Sequence, residues 1–299
     1  MTQASEPKGR GAAQASGMRA ARRRASGKAA SGNGARYLII LLVLGITLVP
    51  MLYLILGGFR STAQINTSPN GLPHPWVWSN YAAVLTSSVF WQAVGNSAVI
   101  AVVATGLAVV LGSTAAFALS RYTFRGRETL YMLFTAGLLF TLNTAALPLF
   151  LLLQRINLLD NLFGVALPEA AFSLPITIVI LRPFMRAIPG ELEDAAVVDG
   201  ATRIRFFWKI LLPLSRPALI TVGILAFVTS WNNYLLPLVV FTSPDHFTLP
   251  LAVANFESTY TEDTARVFAF TALSMIPALA VFVFAQRKLV GGLVGAIKA

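Results

Sequence analysis

The chain has 299 residues, of which 56% are hydrophobic and 12% are charged, and its mean hydropathy is +0.69. A chain with this small share of polar side chains cannot cover the surface of a water-soluble globule. The composition therefore excludes a soluble protein and places the chain in a lipid bilayer. The net charge of +11 does not indicate nucleic-acid binding, because the lysines and arginines lie in the N-terminal tail and in short loops. The absence of cysteine excludes a disulfide, a thiolate metal site and a cysteine nucleophile.

The N-terminal segment 1–36 consists mainly of Ala, Gly, Ser and Arg and carries eight Lys and Arg residues. It has too little bulky apolar surface to offset the entropy of ordering, so we expect a disordered, basic, cytoplasmic tail. Arg22, Arg23 and Arg24 could instead belong to a twin-arginine export signal. That alternative is disfavoured because the apolar run starts only at Tyr37 and exceeds the roughly 7 to 15 residues of a signal-peptide core.

Residues 37–299 are predicted to form one membrane domain with six spanning helices, because six apolar stretches approach the roughly 20 residues that cross a ~30 Å hydrocarbon core. The six stretches are 37–59, 94–119, 129–154, 162–181, 218–241 and 267–286. The fourth is the weakest, because Glu169 interrupts it and Pro168 and Pro175 each remove a backbone donor. The expected fold class is therefore all-α and polytopic.

The distribution of positive charge predicts the orientation of these helices. Six spans place both termini on the same side of the membrane, and the tails and alternate loops hold most of the lysines and arginines. Because positively charged loops remain in the cytoplasm, both termini and the loop 188–214 are expected on the cytoplasmic side.

The loop 188–214, between the fourth and fifth stretches, is the interior segment in which charge is dense. Pro189 suits the first turn of a helix, and three carboxylates would then lie near the positive end of the helix dipole. These carboxylates belong to Glu191, Glu193 and Asp194. Asp199 and Gly200 predict the end of this helix, because glycine readily adopts the left-handed conformation that closes a helix.

A second helical segment is predicted to begin at Ala201 or Thr202 and to end at Pro213. Its predicted apolar face consists of Ile204, Phe207, Trp208 and Leu211. By composition alone, the whole loop would be an amphipathic structure on the membrane surface, as many membrane proteins have.

The spacing within this loop is more specific than its composition. Asp194-Ala195-Ala196 is followed by Gly200 after three residues, and later by Ile210 and Leu212-Pro213. This pattern resembles the EAA loop of ATP-binding-cassette importer permeases, with Asp194 where the family usually has glutamate. The resemblance implies a coupling helix over 191–200 that contacts a separate ATPase. The expected coupling residues are Glu191, Glu193, Asp194, Ala195, Ala196, Asp199, Gly200, Ile210, Leu212 and Pro213.

Further segments resemble the smaller permease of maltose-type carbohydrate importers. They are 78–81, 115–121, 231–234 and the C-terminal tail 291–299. The resemblance implies a six-helix subunit with the type I importer fold in a bacterial plasma membrane. It also implies four kinds of partner: a second permease, two copies of a cytoplasmic ATPase that binds ATP and Mg, an extracytoplasmic sugar-binding protein, and membrane lipid. In that family the C-terminal tail also contacts the ATPase.

A polar cluster in the fifth stretch suggests a substrate pathway. Trp231, Asn232 and Asn233 interrupt an otherwise apolar helix, and an indole ring with amides nearby can bind a sugar. Glu169 and Asn143 are further candidates for this pathway. The structural alternative is that these polar side chains join helices through hydrogen bonds.

The sequence contains no P-loop, no GxSxG and no HExxH motif, so we expect no catalytic site and no resident cofactor or metal in this chain. Three other functions stay open at this point. A six-span secondary transporter would need buried ionisable groups, which are scarce here. A membrane scaffold would bind a cytoplasmic protein without moving a substrate. An importer permease could also carry a solute other than sugar.

Overall fold

The computed structural model describes residues 36–259 and 263–297. The expected disorder of the basic tail falls on residues outside this range, except for Arg36, which begins the first helix. The regular structure of the described residues is helical throughout. The predicted all-α fold class is confirmed.

The described residues form thirteen helices, several of them short, besides one turn of 3-10 helix at Pro244–His246. They are α1 (Arg36–Gly58), α2 (Thr62–Thr67), α3 (Ser79–Leu85), α4 (Ser88–Arg121), α5 (Arg127–Gly137), α6 (Leu142–Arg155), α7 (Leu162–Ala187), α8 (Glu191–Val198), α9 (Arg203–Leu214), α10 (Arg216–Trp231), α11 (Leu235–Val240), α12 (Leu249–Thr259) and α13 (Thr264–Ile297). The chain divides into two compact units after Ile55, and the features described below lie in the second unit.

Four helices, α1, α4, α7 and α13, are long and apolar enough to cross a membrane without a break. Two further pairs pass the same test together, α5 with α6 at a bend of 98° and α9 with α10 at a bend of 79°. The described chain therefore has six spans if each bent pair counts as one.

Two of the predicted spans are not single helices. The stretch 129–154 breaks between α5 and α6, because Gly137 ends one helix and the Thr141 side chain caps the next by accepting from the Thr144 backbone N–H. The stretch 218–241 breaks at residues 232–234, between α10 and α11. Apolar composition predicted these two stretches but not their interruptions.

The centre of the bundle is built from α4, α7 and α10. One face of α4 carries small buried residues, and the list comprises Ala101, Ala104, Ala108, Gly112 and Ala116. A Cβ atom at Gly112 would overlap the Thr177 methyl group of α7. Small side chains are therefore required where these two helices approach each other, as is usual between helices in a membrane.

At the N-terminal end of α7, the Asp160 carboxylate holds a distant loop in place. One of its oxygens accepts the backbone N–H groups of Thr242 and Ser243 at 3.1 and 3.0 Å, and the other accepts the Ser243 hydroxyl at 2.5 Å. These hydrogen bonds, the Ser243 hydroxyl first, hold the pKa of Asp160 well below its usual range. The same loop is tied to α4, where Asn96 donates to the Asp245 and Phe247 carbonyls.

Candidate functional site

The acidic helix predicted in the charged loop is α8. It begins at Glu191, with Gly190 as its N-cap, so Pro189 lies just before the helix and not in its first turn as predicted. All three predicted carboxylates are in that first turn, where the free backbone N–H groups favour negative charge. The helix ends at Val198 and Gly200 has φ of 75°, so the predicted left-handed closure is confirmed.

Most of α8 is exposed, but its two alanines differ. Ala195 is exposed, whereas Ala196 is only 5% exposed and packs in an apolar cluster with Ala116 of α4, Met185 of α7 and Phe206 of α9. Of these two expected coupling residues, only Ala195 therefore lies on the surface. Because α8 follows α7 after only three residues, the helix folds back onto the bundle and buries that side.

Two apolar residues of α8 were missed by the sequence reasoning. Val197 and Val198 are exposed at the C-terminal end of the helix, Val198 at 87% of its surface. In a sequence, valines next to an alanine are typical of the buried face of a helix, so no local pattern indicated that these two would be exposed. Together with the carboxylates of Glu191, Asp194 and Asp199, which are also exposed, they give α8 a mixed acidic and apolar outer surface.

The predicted apolar face of α9 was partly wrong. Phe207 and Leu211 are buried as expected, and Phe206 is buried beside them, but Ile204 and Trp208 are exposed. The reason is a π-helical turn at Phe207–Leu211, which changes the phase of the helix in its middle. Three other residues of the coupling motif are partly buried, Ile210 within this turn and Leu212 and Pro213 after it.

Pro213 does not end α9 as predicted. The helical segment continues to Leu214, and the sharp 79° bend into α10 follows at Ser215. A proline ring needs a local departure from regular α-helical hydrogen bonding, and the π-helical turn directly before Pro213 supplies one.

A polar cleft of about 620 Å³ lies beside α8. Its walls include Arg121 and Tyr122 at the end of α4, Glu193 and Asp194 of α8, and Arg203 of α9. The Arg203 guanidinium lies 4.8 Å from the centre of the Tyr122 ring. Burial, and then the nearby Glu193 carboxylate, raise the pKa of Tyr122 above its usual value. Positively and negatively charged side chains from three helices therefore line one cleft at the same end of the bundle.

A second polar cluster lies inside the bundle, between α7 and the break that follows α10. Glu169 of α7 is only 6% exposed, and its carboxylate accepts hydrogen bonds from the Ser230 hydroxyl and, at 2.8 Å, from the Asn233 amide. Asn233 also receives the Leu236 backbone N–H at the start of α11. The structure thus brings together two predicted pathway residues, Glu169 and Asn233, and adds Ser230.

This cluster borders a cavity of about 340 Å³ whose other walls are mainly apolar, including Phe172, Ile176 and Leu225. Both carboxylate oxygens of Glu169 already have donors, so the hydrogen bonds join α7 to the α10–α11 break, as the structural alternative predicts. Contact between a substrate and Glu169 or Asn233 stays a prediction.

The other three pathway candidates are placed elsewhere. Trp231 is buried in an apolar cluster, where its ring stacks on Phe227 with centroids 5.6 Å apart. Asn232 is exposed and donates to the Val228 carbonyl at 2.9 Å, which caps the end of α10. Asn143 is exposed on α6, and its neighbour Leu142 is the residue that lines the cavity. The structure brings none of these three side chains to the cavity beside Glu169.

The C-terminal tail 291–299 was expected to contact an ATPase. The backbone of α13 is helical through Ile297, and residues 298 and 299 lie outside the described range. The expected contact stays a prediction.

A family model described as the binding-protein-dependent transport system inner membrane component matches residues 108–291, which include α8, the polar cleft and Glu169. The chain belongs to this family. It is therefore a membrane-embedded transport subunit of a binding-protein-dependent system, and the resemblance inferred from the loop 188–214 is confirmed.

Individual relatives match this permease over most of its length. It is 36% identical over 248 residues to the diacetylchitobiose uptake system permease protein NgcG of Streptomyces coelicolor, covering 82% of each chain. It is 35% identical to the trehalose transport system permease protein SugB of Mycobacterium tuberculosis, covering 86% of this chain and 94% of the relative.

A solved structure also matches the permease. It is a chain of a bacterial ABC transporter involved in the import of the acidic polysaccharide alginate, with a TM-score of 0.72 and 25% identity. The match covers 85% of this chain and 94% of that chain. The arrangement of helices described above is therefore that of an ABC importer transmembrane subunit.

Proposed function

We propose that this permease imports a sugar or an oligosaccharide across a bacterial plasma membrane, driven by a separate ATPase. Relatives that are described as carrying diacetylchitobiose, arabinooligosaccharides and trehalose match more than four-fifths of this chain, and they support a carbohydrate as substrate. A chain of an alginate importer with the same fold supports the same class. We assign no catalytic step to this chain: ATP and Mg would be bound by the ATPase.

The observation that carries this proposal is the shape and charge of α8. The helix presents exposed carboxylates in its first turn and exposed valines in its last turn, and its opposite side is anchored in the bundle through Ala196. Such a short, anchored helix is suited to fit a cleft in another protein, with the carboxylates at the rim and the valines desolvated. We assign this surface of α8 to contact with the ATPase, in a complex of two permeases and two ATPase copies.

The transport step would follow from movement of α8. When the ATPase closes on ATP, α8 would be displaced together with α7 and α4, and the spans would change between inward-open and outward-open arrangements. Converting such an equilibrium from 1:99 to 99:1 requires about 5.5 kcal/mol of differential binding, which the ATPase and a docked binding protein would supply together.

The proposed complex contains this permease, a second permease, two ATPase copies and an extracytoplasmic sugar-binding protein. A structural neighbour with 14% identity and a TM-score of 0.62 comes from an alginate transporter in complex with an alginate pentasaccharide-bound periplasmic protein. At that identity the neighbour supports the fold of this chain alone. The assignment of a binding protein rests on membership of the family.

Reconstitution tests the function directly. The permease would be purified from its own membranes with its associated subunits, placed in proteoliposomes and supplied with labelled di- and oligosaccharides. We expect sugar uptake that requires ATP and the binding protein and that persists when ion gradients are collapsed. Uptake abolished by loss of an ion gradient would instead identify a secondary transporter. ATP-driven uptake of a non-sugar solute alone would correct the substrate class.

The proposal also places both termini and α8 in the cytoplasm. Because the chain has no cysteine, single replacements can report sidedness without background. Arg125→Cys lies in an exposed loop at the α8 end of α4, and Asp245→Cys lies in an exposed loop at the other end. A membrane-impermeant thiol reagent should label Asp245→Cys in intact cells and Arg125→Cys only after permeabilisation. The reverse pattern would contradict the orientation.

A further inference from the structure

Two arginines join α4 and α7 at the end of the bundle that carries α8. Arg121 is the last residue of α4, and its Nη2 atom donates to the Met185 and Ile188 carbonyls at the end of α7, at 2.9 Å each. Arg182 of α7 donates from Nε to the Leu119 carbonyl at the end of α4, at 3.1 Å. Each helix therefore supplies the arginine that caps the other.

These contacts satisfy groups that would otherwise be unpaired. The last four carbonyls of an α-helix have no partner within the helix, and they carry the negative end of the helix dipole. Met185 and Leu119 both contribute such carbonyls. A guanidinium group suits this position because its Nη2 carries two N–H donors, which in Arg121 serve two carbonyls at once.

Both guanidinium groups are buried and have a carboxylate partner on a third or fourth helix. Arg182 is 6% exposed, pairs with Glu128 at the start of α5, and lies 3.9 Å from the centre of the Tyr131 ring. Arg121 has 8% of its side chain exposed and is 3.9 Å from Glu193 of α8. Removing either arginine leaves carbonyls of the other helix without their donor, which is unfavourable.

The position of Arg121 relative to α8 suggests what the pair does. Ile188, whose carbonyl Arg121 holds, is the first of the three residues that connect α7 to α8. On the other side of the connection, Ala196 anchors α8 in the apolar cluster shared with α4 and α7. Movement of α8 relative to α7 is therefore opposed on both sides of the connection, because Arg121 binds its first residue and lies beside Glu193 of α8, and Ala196 is packed in the shared apolar cluster.

We propose that Arg121 and Arg182 form a reciprocal clasp, a pair of positioning residues that makes α4, α7 and α8 move as one body during transport. This rests on the proposed function, because the movement in question is the one imposed by the ATPase. With the clasp intact, displacement of α8 reaches two central helices of the bundle. Without it, α8 moves at the α7–α8 connection, and ATP is hydrolysed without transport.

The test compares Arg121→Gln and Arg182→Gln with Arg186→Gln in the complete complex. Arg186 lies at the same end of α7 but is exposed and has no hydrogen bond or ion pair within the described residues, so it controls for lost charge. Sugar uptake and binding-protein-stimulated ATP hydrolysis are measured in the same proteoliposomes. Loss of hydrogen bonds to a buried charged group predicts that uptake per ATP falls about tenfold or more in either clasp variant. The ratio should be unchanged in Arg186→Gln.

Two further measurements distinguish coupling from general stability. Hydrogen exchange of the assembled complex should become faster over residues 185–200 in Arg121→Gln, but not in Arg186→Gln. Because the two arginines act as one unit, the double variant should be no more uncoupled than either single variant. Uptake and hydrolysis that fall by the same factor, or exchange that is unchanged, would overturn the proposal.

If Arg121→Gln does not assemble, Arg121→Lys replaces it. Lysine keeps the charge, but its nitrogen lies where the Cζ atom of arginine lies, one bond short of the Nη2 that makes both hydrogen bonds, so uptake per ATP should still fall. A wild-type ratio in Arg121→Lys would overturn the clasp. Failure of the wild-type complex to import any solute with ATP would refute the proposed function instead, so the two failures are distinguishable.

Discussion

The two ends of α7 bury charge in different ways. At its C-terminal end, Arg121 and Arg182 cap carbonyl groups, and the carboxylates of the adjoining α8 remain mostly exposed. At its N-terminal end, the carboxylates of Asp160 and Glu169 accept hydrogen bonds from side chains or backbone within the bundle. The arginines at the C-terminal end and Asp160, just before the first turn, agree with the helix dipole, whereas Glu169 lies about two turns inside α7 and is stabilised by its hydrogen-bond donors instead.

This difference between the two ends of α7 indicates where a partner protein can bind. At the N-terminal end the negative charges are fully used within the chain, so they stabilise loops and breaks. At the α8 end the positive charges are used within the chain, but three carboxylates are left exposed on a helix that also exposes two valines. Charge that the fold leaves unpaired on an anchored helix is available to another protein.

The largest expected effect comes from Ala196→Glu at the α8 end. A carboxylate placed in the apolar cluster with Met185 and Phe206 has no partner there, and its burial is strongly unfavourable. We expect sugar uptake to be abolished while the protein still inserts in the membrane, measured by uptake and by the amount in the membrane fraction.

Ala195→Glu is the matched control for this prediction. Its side chain is exposed on the same helix, so α8 should remain as protected from hydrogen exchange as in the wild type. Equal loss of protection in the two variants would mean that α8 is not anchored through Ala196.

A smaller effect is expected from Glu169→Ala at the other end of α7. The change leaves Ser230 and Asn233 without their acceptor inside the bundle, so we expect destabilisation by about 1–3 kcal/mol, measured as a lower Tm of the purified complex. Glu169→Gln keeps one acceptor oxygen and should lose less. If Glu169 also contacts substrate, Glu169→Gln should change the preference among sugars; an unchanged preference and unchanged Tm would contradict both roles.

The smallest effect is expected from Asp160→Asn. The pKa of Asp160 is lowered in the fold by its bonds to Ser243 and Thr242, so its contribution to stability is complete above the unfolded pKa of about 3.9 and is lost as the pH falls through the folded value. Wild-type Tm should therefore decline in acid below about pH 4 more steeply than that of Asp160→Asn. Parallel Tm curves for the two proteins would show that the Asp160 charge does not hold the loop 241–248.

Several features could be predicted from the sequence because they depend on neighbours in the chain. The ends of α8 followed from acidic residues in a first turn and from Gly200 after a last turn. The spacing of the residues in the coupling motif was sufficient to predict the family, which the match over 108–291 confirms. The bend between α5 and α6 was not predicted, because an apolar run looks the same whether it is straight or broken.

The candidate site was predicted less completely. Hydrogen bonds between helices were one alternative for these polar side chains, but Glu169 and Asn233 are 64 residues apart and nothing in the sequence indicated that they would pair with each other. Trp231, adjacent in sequence to a cavity residue, instead fills an apolar cluster. The face of α9 was misassigned because a π-helical turn changes the periodicity on which that assignment depended.

The amino-acid sequence alone was sufficient to predict a membrane protein with several long apolar helices and a short acidic helix that closes at Gly200. Hydrophobicity and backbone preference act within a few residues, so they can be read along the chain. The tertiary structure decided that Ala196 is buried while Ala195 is exposed, which partners hold Glu169, and that Arg121 and Arg182 cap each other's helices. These depend on the packing of helices whose contacting residues are more than 60 positions apart, as the 63-residue separation of Arg182 and Leu119 illustrates.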